Sequence, residues 1–385
     1  MMYRKTYAKI NCDILENNIQ EIKNKYNYKY YFGIVKANAY GHGDYIINSL
    51  IKGGINYLAA SSLEECLSIR KRNKKIDILC LEPIHHEYLN ICEKENITIT
   101  INDMSYFKKM NLSMKIKVHI KIDTGMNRLG IKDKYELKEI YDKLTISNCI
   151  LEGIYTHFAT SGMWDKYYDK AVEKFKEITS LIDLTKIPIV HLARSLTLVQ
   201  HPKLRFANGI RLGISMYGFN QSLKEPTGLK RLKREVFLKR NKISPINYSN
   251  DLNLKTAFSL HSEIIELKEV KAGEYVGYGA KYIADKDIKI GIIPIGYADG
   301  LIKQNEGLTV KIKNKHYKII GEICMDMTSI LIDDNIKLYD EVIIYEDVKK
   351  RAQKLGISAY QLFTNITTRV PRVYIEKDKK TEIKY

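Results

Sequence analysis

A lysine that ends an apolar strand and runs into a glycine-bearing turn is placed to react with a carbonyl, and residues 31–43, Y-F-G-I-V-K-A-N-A-Y-G-H-G, contain one. Burial at a strand end disfavours an ammonium and favours the free amine. A free amine is what a Schiff-base lysine requires, which makes Lys36 a candidate nucleophile. Gly41 and Gly43 leave room for a ligand to approach the backbone. A lone lysine of this kind reads more simply as a loop cation. Further polar residues recur where other apolar runs end: Lys121, Asp123, Thr124, Gly125, Met126, Asn127 and Arg128, then His157, then His191 and Ser195, then Arg211, Gly213 and Ile214. Each alone has a plain structural reading, as a loop cation, a core histidine or a turn serine. Their recurrence at successive strand ends points to one site.

The elements that must carry these residues form an alternating pattern. Short apolar runs are expected as strands at 30–35, 57–61, 76–81, 97–101, 117–122, 151–156, 188–192 and 209–216. Amphipathic segments lie between them. One begins at Asp13, the expected cap, with Leu15, Ile19, Ile22 and Tyr26 on one face; another carries Tyr168, Val172, Phe175, Ile178 and Ile182. Eight βα units predict a TIM-type (β/α)8 barrel, whose active-site residues sit in the loops that follow the strands. Beyond Asn250 the texture becomes strand and turn. Strands are expected at 257–270, 289–297, 308–313, 317–323, 328–332 and 341–345, with a hairpin turn at Lys313-Asn314-Lys315 and a short helix near 349–364. The predicted organisation is therefore α/β plus β: a barrel over 1–245 and a mostly β domain over 246–385. The densest basic cluster, 230–242, falls where a linker is expected.

Composition narrows the class. The chain has 385 residues, 45% of them hydrophobic, enough for large cores. No apolar run approaches the ~18 residues of a membrane span, and no apolar stretch follows Met1-Met2-Tyr3-Arg4-Lys5 to make a secretory signal. The six cysteines, Cys12, Cys66, Cys80, Cys92, Cys149 and Cys324, form no C-x-x-C pair and read as buried thiols of a reducing compartment, the cytoplasm. The net charge of +18 is spread among Ile, Asn and Tyr rather than focused in a patch, which argues against a nucleic-acid partner.

The string V-K-A-N-A-Y-G-H-G resembles the pyridoxal phosphate attachment segment of the alanine racemases. So do K-I-D-T-G-M-N-R-L-G, Y-T-H-F-A-T, G-I-R-L-G-I-S-M-Y-G, E-Y-V-G-Y-G-A-K-Y, I-G-Y-A-D-G and E-I-C-M-D-M, and the resemblance spans nearly the whole chain. It implies pyridoxal 5'-phosphate as cofactor and Lys36 as its anchor. It implies that Arg128 meets the cofactor phenolate oxygen and the substrate carboxylate, and that Lys121 is the lysine often carbamylated in the family. His157 is implied to pack on the pyridine ring, Arg211 to face the ring nitrogen, and His191 to support Arg211. For the phosphate, the match nominates Tyr40, Ser195, the amides of Gly213 and Ile214, and Tyr360. One departure lies at Ala193-Arg194-Ser195-Leu196, where the family usually has Asn-Ser-Ala. It sets Arg194 either near the phosphate or in solvent.

From the second domain the resemblance nominates Tyr278 as the second catalytic base. Tyr297 and Tyr360 would narrow the substrate channel, the Met325 amide would meet the substrate carboxylate, and Asp326 would support it. Racemisation needs a proton removed from one face of Cα and returned to the other, and one base per face is the simplest arrangement. Lys36 would serve the D enantiomer and Tyr278 the L enantiomer. A phenol is a poor base at its ordinary pKa of ~10, so nearby cations must help it. In this family Tyr278 comes from the partner subunit, which implies a homodimer with shared sites. An arginine at the ring nitrogen makes the cofactor a weaker electron sink than an aspartate would, restraining side reactions such as transamination. The implied activity is alanine racemisation, supplying D-alanine for peptidoglycan. The alternatives are racemisation of another small amino acid such as serine, or a non-catalytic pyridoxal phosphate-binding barrel, against which the second domain speaks.

Overall fold

The computed structural model describes residues 3–160, 166–219, 226–241, 243, 252–377 and 379–383. The chain divides into two compact units that interleave in sequence. One comprises Glu16–Ala37 and Ile47–Leu254, the other Met1–Leu15, Asn38–Ile46 and Lys255–Tyr385. The expected junction at 245/246 lies outside the described residues.

The first unit holds a closed barrel of eight parallel strands: Tyr30–Ile34, Tyr57–Ala60, Asp77–Cys80, Ile97–Ile101, Lys117–Ile122, Ile150–Thr156, Ile189–Arg194 and Gly209–Leu212. Pairing of Phe32 with Arg211 closes the ring between the first and last strands. Strands covered on both faces read as near-continuous β-branched runs, and Ile97–Ile101 (ITITI) is buried throughout. All eight expected strands are present. The last is shorter than 209–216, because Gly213 leaves the ladder and a series of tight turns begins there, with the Met216 amide donating to the Gly213 carbonyl at 3.0 Å. Helix Cys12–Lys25 buries Leu15, Ile19 and Ile22, but its cap is Asn11 rather than Asp13. The Asn11 Oδ1 accepts from the Ile14 amide at 3.0 Å, while Asp13 accepts from the Lys377 amide. Helix Tyr167–Ile178 has the expected buried face, with Ile182 beyond its end. The basic segment expected as a linker is helical over Gly228–Asn241, and Lys242 lies outside the described residues.

The second unit is built on a ten-stranded sheet. In spatial order its strands are Glu266–Val270, Ile288–Ile293, Thr328–Ile332, Lys315–Ile320, Thr309–Ile312, Glu341–Tyr345, Phe258–Glu263, Tyr7–Asn11, Arg372–Glu376 and Lys379–Ile383. The N-terminal strand and the two C-terminal strands were not evident from the sequence. The run expected as one strand over 257–270 is two, because Ile264, fully buried, turns the corner between partners: Phe258–Glu263 pairs with Glu341–Tyr345, and Glu266–Val270 with Ile288–Ile293. The helix expected near 349–364 is likewise two, Val348–Leu355 and Ala359–Asn365, separated by Gly356 in the left-handed region. The two-residue hairpin at Lys313 and Asn314 is present, with Ile312 paired to Lys315.

The turn after Lys36 is the main local irregularity. Ala37, Asn38, Ala39 and Tyr40 all have φ near +50°, a left-handed turn made of non-glycine residues. Each such residue costs roughly 1–2 kcal/mol, so surrounding contacts must hold the turn. At Gly41 a Cβ would lie 2.1 Å from the Phe363 carbonyl oxygen, so no larger residue fits. The fully buried Arg372 donates to the carbonyls of Gly41, Ile366, Thr367 and Val370 at 2.6–3.0 Å, and the Tyr374 hydroxyl donates to the His42 carbonyl. Arg372→Met should orphan the buried carbonyls of Gly41, Ile366 and Val370, while that of Thr367 keeps the Val370 amide at 3.2 Å. Each unsatisfied group costs about 1–3 kcal/mol, so a loss of at least ~3 kcal/mol is expected in urea unfolding, with faster proteolysis near residue 41. An unchanged unfolding midpoint would show that the arginine does not hold this turn.

Candidate active site

In the barrel unit the polar residues singled out above gather at the C-terminal ends of strands. Lys36 follows the first strand and is half-buried; the Ala37 amide beside it donates to Glu65 Oε1 at 2.6 Å. Lys121 is the penultimate residue of the fifth strand and is buried. The loop after it is pinched at its neck, with the Asp123 amide donating to the Ile131 carbonyl and the Ile131 amide to the Lys121 carbonyl, both at 2.9 Å. Asp123 Oδ1 accepts from the Gly125 and Asn127 amides, which shapes the loop that carries the exposed Arg128. Thr124 bonds Thr156 across to the sixth strand at 2.9 Å. His157 follows that strand and is half-buried.

Arg211 is the electrostatic centre. It is buried, and no carboxylate among the described residues pairs with it. Its Nη1 donates to the His191 carbonyl and to His191 Nδ1 at 2.7 and 2.9 Å, and its Nη2 to the carbonyls of Thr156 and Leu192 at 2.6 and 2.9 Å. Four of its five N–H groups are thereby taken, and Nε–H donates to none of the described residues. Burial lowers the Arg211 pKa to about 10, so it stays a cation at neutral pH. Burial, then the charges of Arg211, Arg194, Arg128 and Lys121, push His157 down to about 2. Burial and Arg211 hold His191 neutral. Arg194, half-buried, acts on both His157 and Arg211, so its charge bears on this site and is not lost to solvent.

Next to Arg211 lies an anion-binding set. The Gly213 amide donates to Ser195 Oγ at 2.9 Å, which leaves the serine O–H to donate elsewhere. The Ile214 amide donates to no acceptor among the described residues. An unpartnered amide and a hydroxyl with its proton to give, beside several cations, suit a phosphate. The remaining Arg211 N–H suits a neutral ring nitrogen, and Lys36 suits a carbonyl carbon. The donor set therefore fits pyridoxal 5'-phosphate.

The sheet unit places the other candidates. Buried Tyr40 lies against Tyr360, ring centroids 5.1 Å apart. Tyr278 is 70% exposed, between Gly277 and Gly279, both at positive φ. Its backbone amide lies beside the Cys324 thiol. The Tyr297 and Ala298 amides donate to the carbonyls of Cys324 and Met325 at 3.0 and 3.1 Å, so Tyr278, Tyr297 and Met325 share one exposed surface. The Met325 amide donates to no described residue. Asp326 accepts from Arg369 at 2.7 Å.

Sequence reasoning missed a polar chain inside the barrel. His191 Nε2 lies 3.0 Å from His119 Nδ1, and His119 Nε2 lies 3.3 Å from Glu152. The signal was present in Lys117-Val-His119-Ile-Lys121, which alternates polar and apolar residues along one strand.

A barrel with a lysine on its first strand end, a buried arginine on its last and a phosphate cradle beside it defines the class of phosphorylated-carbonyl cofactor enzymes. Comparisons with known proteins narrow it. The family "Alanine racemase, N-terminal domain" matches residues 10–221 and "Alanine racemase, C-terminal domain" residues 257–374. Alanine racemase 1 of Bacillus subtilis is 31% identical over 99% of this chain and 96% of its own. The alanine racemase of Listeria innocua is 33% identical over 97% and 98%. The crystal structure of alanine racemase from Bacillus anthracis with bound L-Ala-P superposes with a TM-score of 0.86 at 28% identity, covering 100% and 99% of the two chains. The chain belongs to the alanine racemase family.

Lys121 gives a stability test. Burial, then the charges of Arg128 and Arg211, lower its pKa from 10.5 to about 8. Between those values the unfolded chain binds the proton that the folded chain has released, so stability from this group rises with pH through about 8 to 10.5 and carries its full penalty below. A displacement of that size corresponds to about 3 kcal/mol. Lys121→Met should therefore raise the melting temperature of the cofactor-free protein at pH 7, with the gain shrinking as pH approaches 10.5 in paired thermal scans. A variant less stable than the parent at pH 7 would contradict this.

Proposed function

We propose that this chain interconverts L- and D-alanine with pyridoxal 5'-phosphate, by a two-base mechanism in which Lys36 and Tyr278 act on opposite faces of the substrate. The observation that carries this reading is that Arg211 lies on the last barrel strand and Lys36 just beyond the end of the first, two strands that pair through Phe32 and Arg211 although Lys36 and Arg211 are 175 positions apart in sequence. Lys36 would hold the cofactor's carbonyl carbon, and Arg211 Nε–H would face its ring nitrogen. Ser195, the Gly213 and Ile214 amides, Tyr40 and Tyr360 would hold its phosphate, His157 would pack on its ring, and Arg128 would meet its phenolate oxygen. When bound, the cofactor delocalises the charge left on Cα as its proton departs.

The protein's own groups do the rest. Lys36 Nζ exchanges the proton on one face and the Tyr278 phenol oxygen on the other, each as base in one direction and acid in the reverse. Arg128 and the Met325 amide hold the substrate carboxylate, with Asp326 in support. Lys121, held toward its free-amine form by burial, is the group placed to take up CO2 as a carbamate that orients Arg128. Tyr297 and Tyr360 keep bulk beside the substrate, which favours a small side chain. His191 braces Arg211.

The functional division assigns Lys36 to 1–245 and Tyr278 to 246–385, with Tyr278 of the partner subunit completing each site in a homodimer. The 70% exposure of Tyr278 in this single chain supports that arrangement. Six cysteines outside any disulfide fit a reducing compartment, the cytoplasm, where D-alanine would feed peptidoglycan synthesis. No described helix is long and apolar enough to cross a membrane.

Lys36→Ala and Tyr278→Phe should each reduce alanine racemisation at least ~100-fold by chiral product assay, consistent with loss of an acid–base group. Mixed and refolded together, they should regain activity in heterodimers, where one site of the two keeps both bases. No recovery in confirmed heterodimers would rule out shared sites. A strong preference for serine in the same assay would change the substrate and leave the fold untouched.

A further inference from the structure

We infer that Glu152 and His119 are positioning residues: they fix the tautomer of His191 and, through it, the orientation of Arg211. The inference rests on the reading that Arg211 faces the cofactor, but its first observable does not.

The two ends of the chain of bonds fix its direction. A guanidinium has five donors and no acceptor, and an ionised carboxylate has only acceptors. His191 Nδ1, 2.9 Å from Arg211 Nη1, must therefore accept. The His191 proton then sits on Nε2, 3.0 Å from His119 Nδ1, which must accept in turn. That leaves the His119 proton on Nε2, donating to Glu152 Oε2 at 3.3 Å. Every donor arrow runs from Arg211 toward Glu152. A second proton on either ring, or a switch of either tautomer, would set two N–H groups against each other.

The surroundings are built for this arrangement. A Cβ on Gly153 would lie 2.5–2.7 Å from three atoms of the His119 ring, and one on Gly209 would lie 2.9 Å from the His191 Cβ. Each glycine, on the strand next to one of the two imidazoles, thus makes room for it. His191 is sandwiched between Phe32 and Tyr155, at centroid distances of 4.4 and 4.7 Å. Glu152 is held ionised: burial opposes its charge, but hydrogen bonds from His119 and Tyr57 and the charge of Lys117 outweigh it. Tyr57 donates to it at 2.5 Å, Thr98 lies at 3.3 Å, and Lys117, itself paired with Asp77, lies at 3.2 Å.

This geometry makes glutamine at 152 informative. Glu152 meets donors on both oxygens, Lys117 on Oε1 and His119, Tyr57 and Thr98 on Oε2; of the latter, the two hydroxyls can turn to accept, but His119 can do so only by changing tautomer. With Lys117 taking the amide oxygen of a glutamine, its NH2 faces His119 Nε2, which must then accept. Both imidazoles switch tautomer, and His191 presents N–H to Arg211. Removing the Lys117 charge as well lets the glutamine oxygen turn back to His119.

The test reads histidine 15N shifts, which distinguish the two tautomers, in wild type, Glu152→Gln and the Glu152→Gln/Lys117→Met double variant, each with and without cofactor. Wild type should show both rings neutral with the proton on Nε2 between about pH 6 and 9. Glu152→Gln should move both protons to Nδ1, lower kcat about tenfold with KM within about twofold, and change the visible absorption of the holoenzyme. The double variant should restore tautomers and kcat together, which a merely structural role for Glu152 would not produce. Wild-type His191 with its proton on Nδ1 would overturn the inference even where Glu152→Gln fails to fold. So would a folded Glu152→Gln that keeps both tautomers. Wild-type tautomers as stated in a protein that does not racemise alanine would uphold the chain of bonds and refute the proposed function.

Discussion

A permanent cation buried with no carboxylate partner among the described residues, Arg211, is the constraint around which the barrel end is organised. An unpaired charge in a protein interior is costly. Here three backbone carbonyls and one imidazole take four of its N–H groups, and these carbonyls belong to the ends of the sixth and seventh strands. The cation is thus solvated by strand-end dipoles that the barrel geometry supplies. Its field then acts outward. His157, His191 and Lys121 are all pushed toward their neutral forms, first by burial and then by this charge or its neighbours. The two imidazoles are thereby held neutral beside the cation, while Lys121 keeps its proton at neutral pH at a cost.

The turn after Lys36 solves a different problem. The lysine must leave a buried strand and be held at its end while the chain passes, at residues 37 and 38, from one compact unit into the other. A left-handed turn of four non-glycine residues does this at a local energetic cost, and that cost is offset within the sheet unit. Arg372 and Tyr374 bind carbonyls of Gly41 and His42, while the imidazole of His42 sits among Phe258 and Phe363. Backbone strain next to Lys36 is thereby tied to the packing of the C-terminal strands.

Much of this was legible in the sequence, for physical reasons. Barrel strands buried on both faces announce themselves as short β-branched runs, and all eight were recognisable. The site residues stood out because Lys36, Lys121, His157 and Arg211 are polar where such runs end. The sheet unit was less legible. Tyr7–Asn11 pairs with strands some 250 and 365 residues away, a partnership no local pattern encodes. The corner at Ile264 was hidden because the apolar alternation continues through it. The Asn11 cap was missed because Asp13, an equally good cap by type, stood two residues on. Glu152 and His119 were missed because a charged residue in a strand interior reads as an irregularity until its partner on the next strand is known.

The interior of such a barrel is ordinarily filled by layers of branched aliphatic side chains. Here part of it is filled by Tyr57, Thr98, His119, Glu152 and His191, joined by hydrogen bonds. A polar network in a core is destabilising unless each member is satisfied, and an apolar layer of equal volume is often as stable or more so. Stability alone therefore does not account for this layer. What it provides that valine and leucine could not is direction. A chain of bonds with an obligate donor at one end and an obligate acceptor at the other has one proton arrangement, and so one orientation for the guanidinium at its end. The same barrel that closes through the Phe32–Arg211 pairing uses its core to decide which N–H of that arginine remains to meet a ligand.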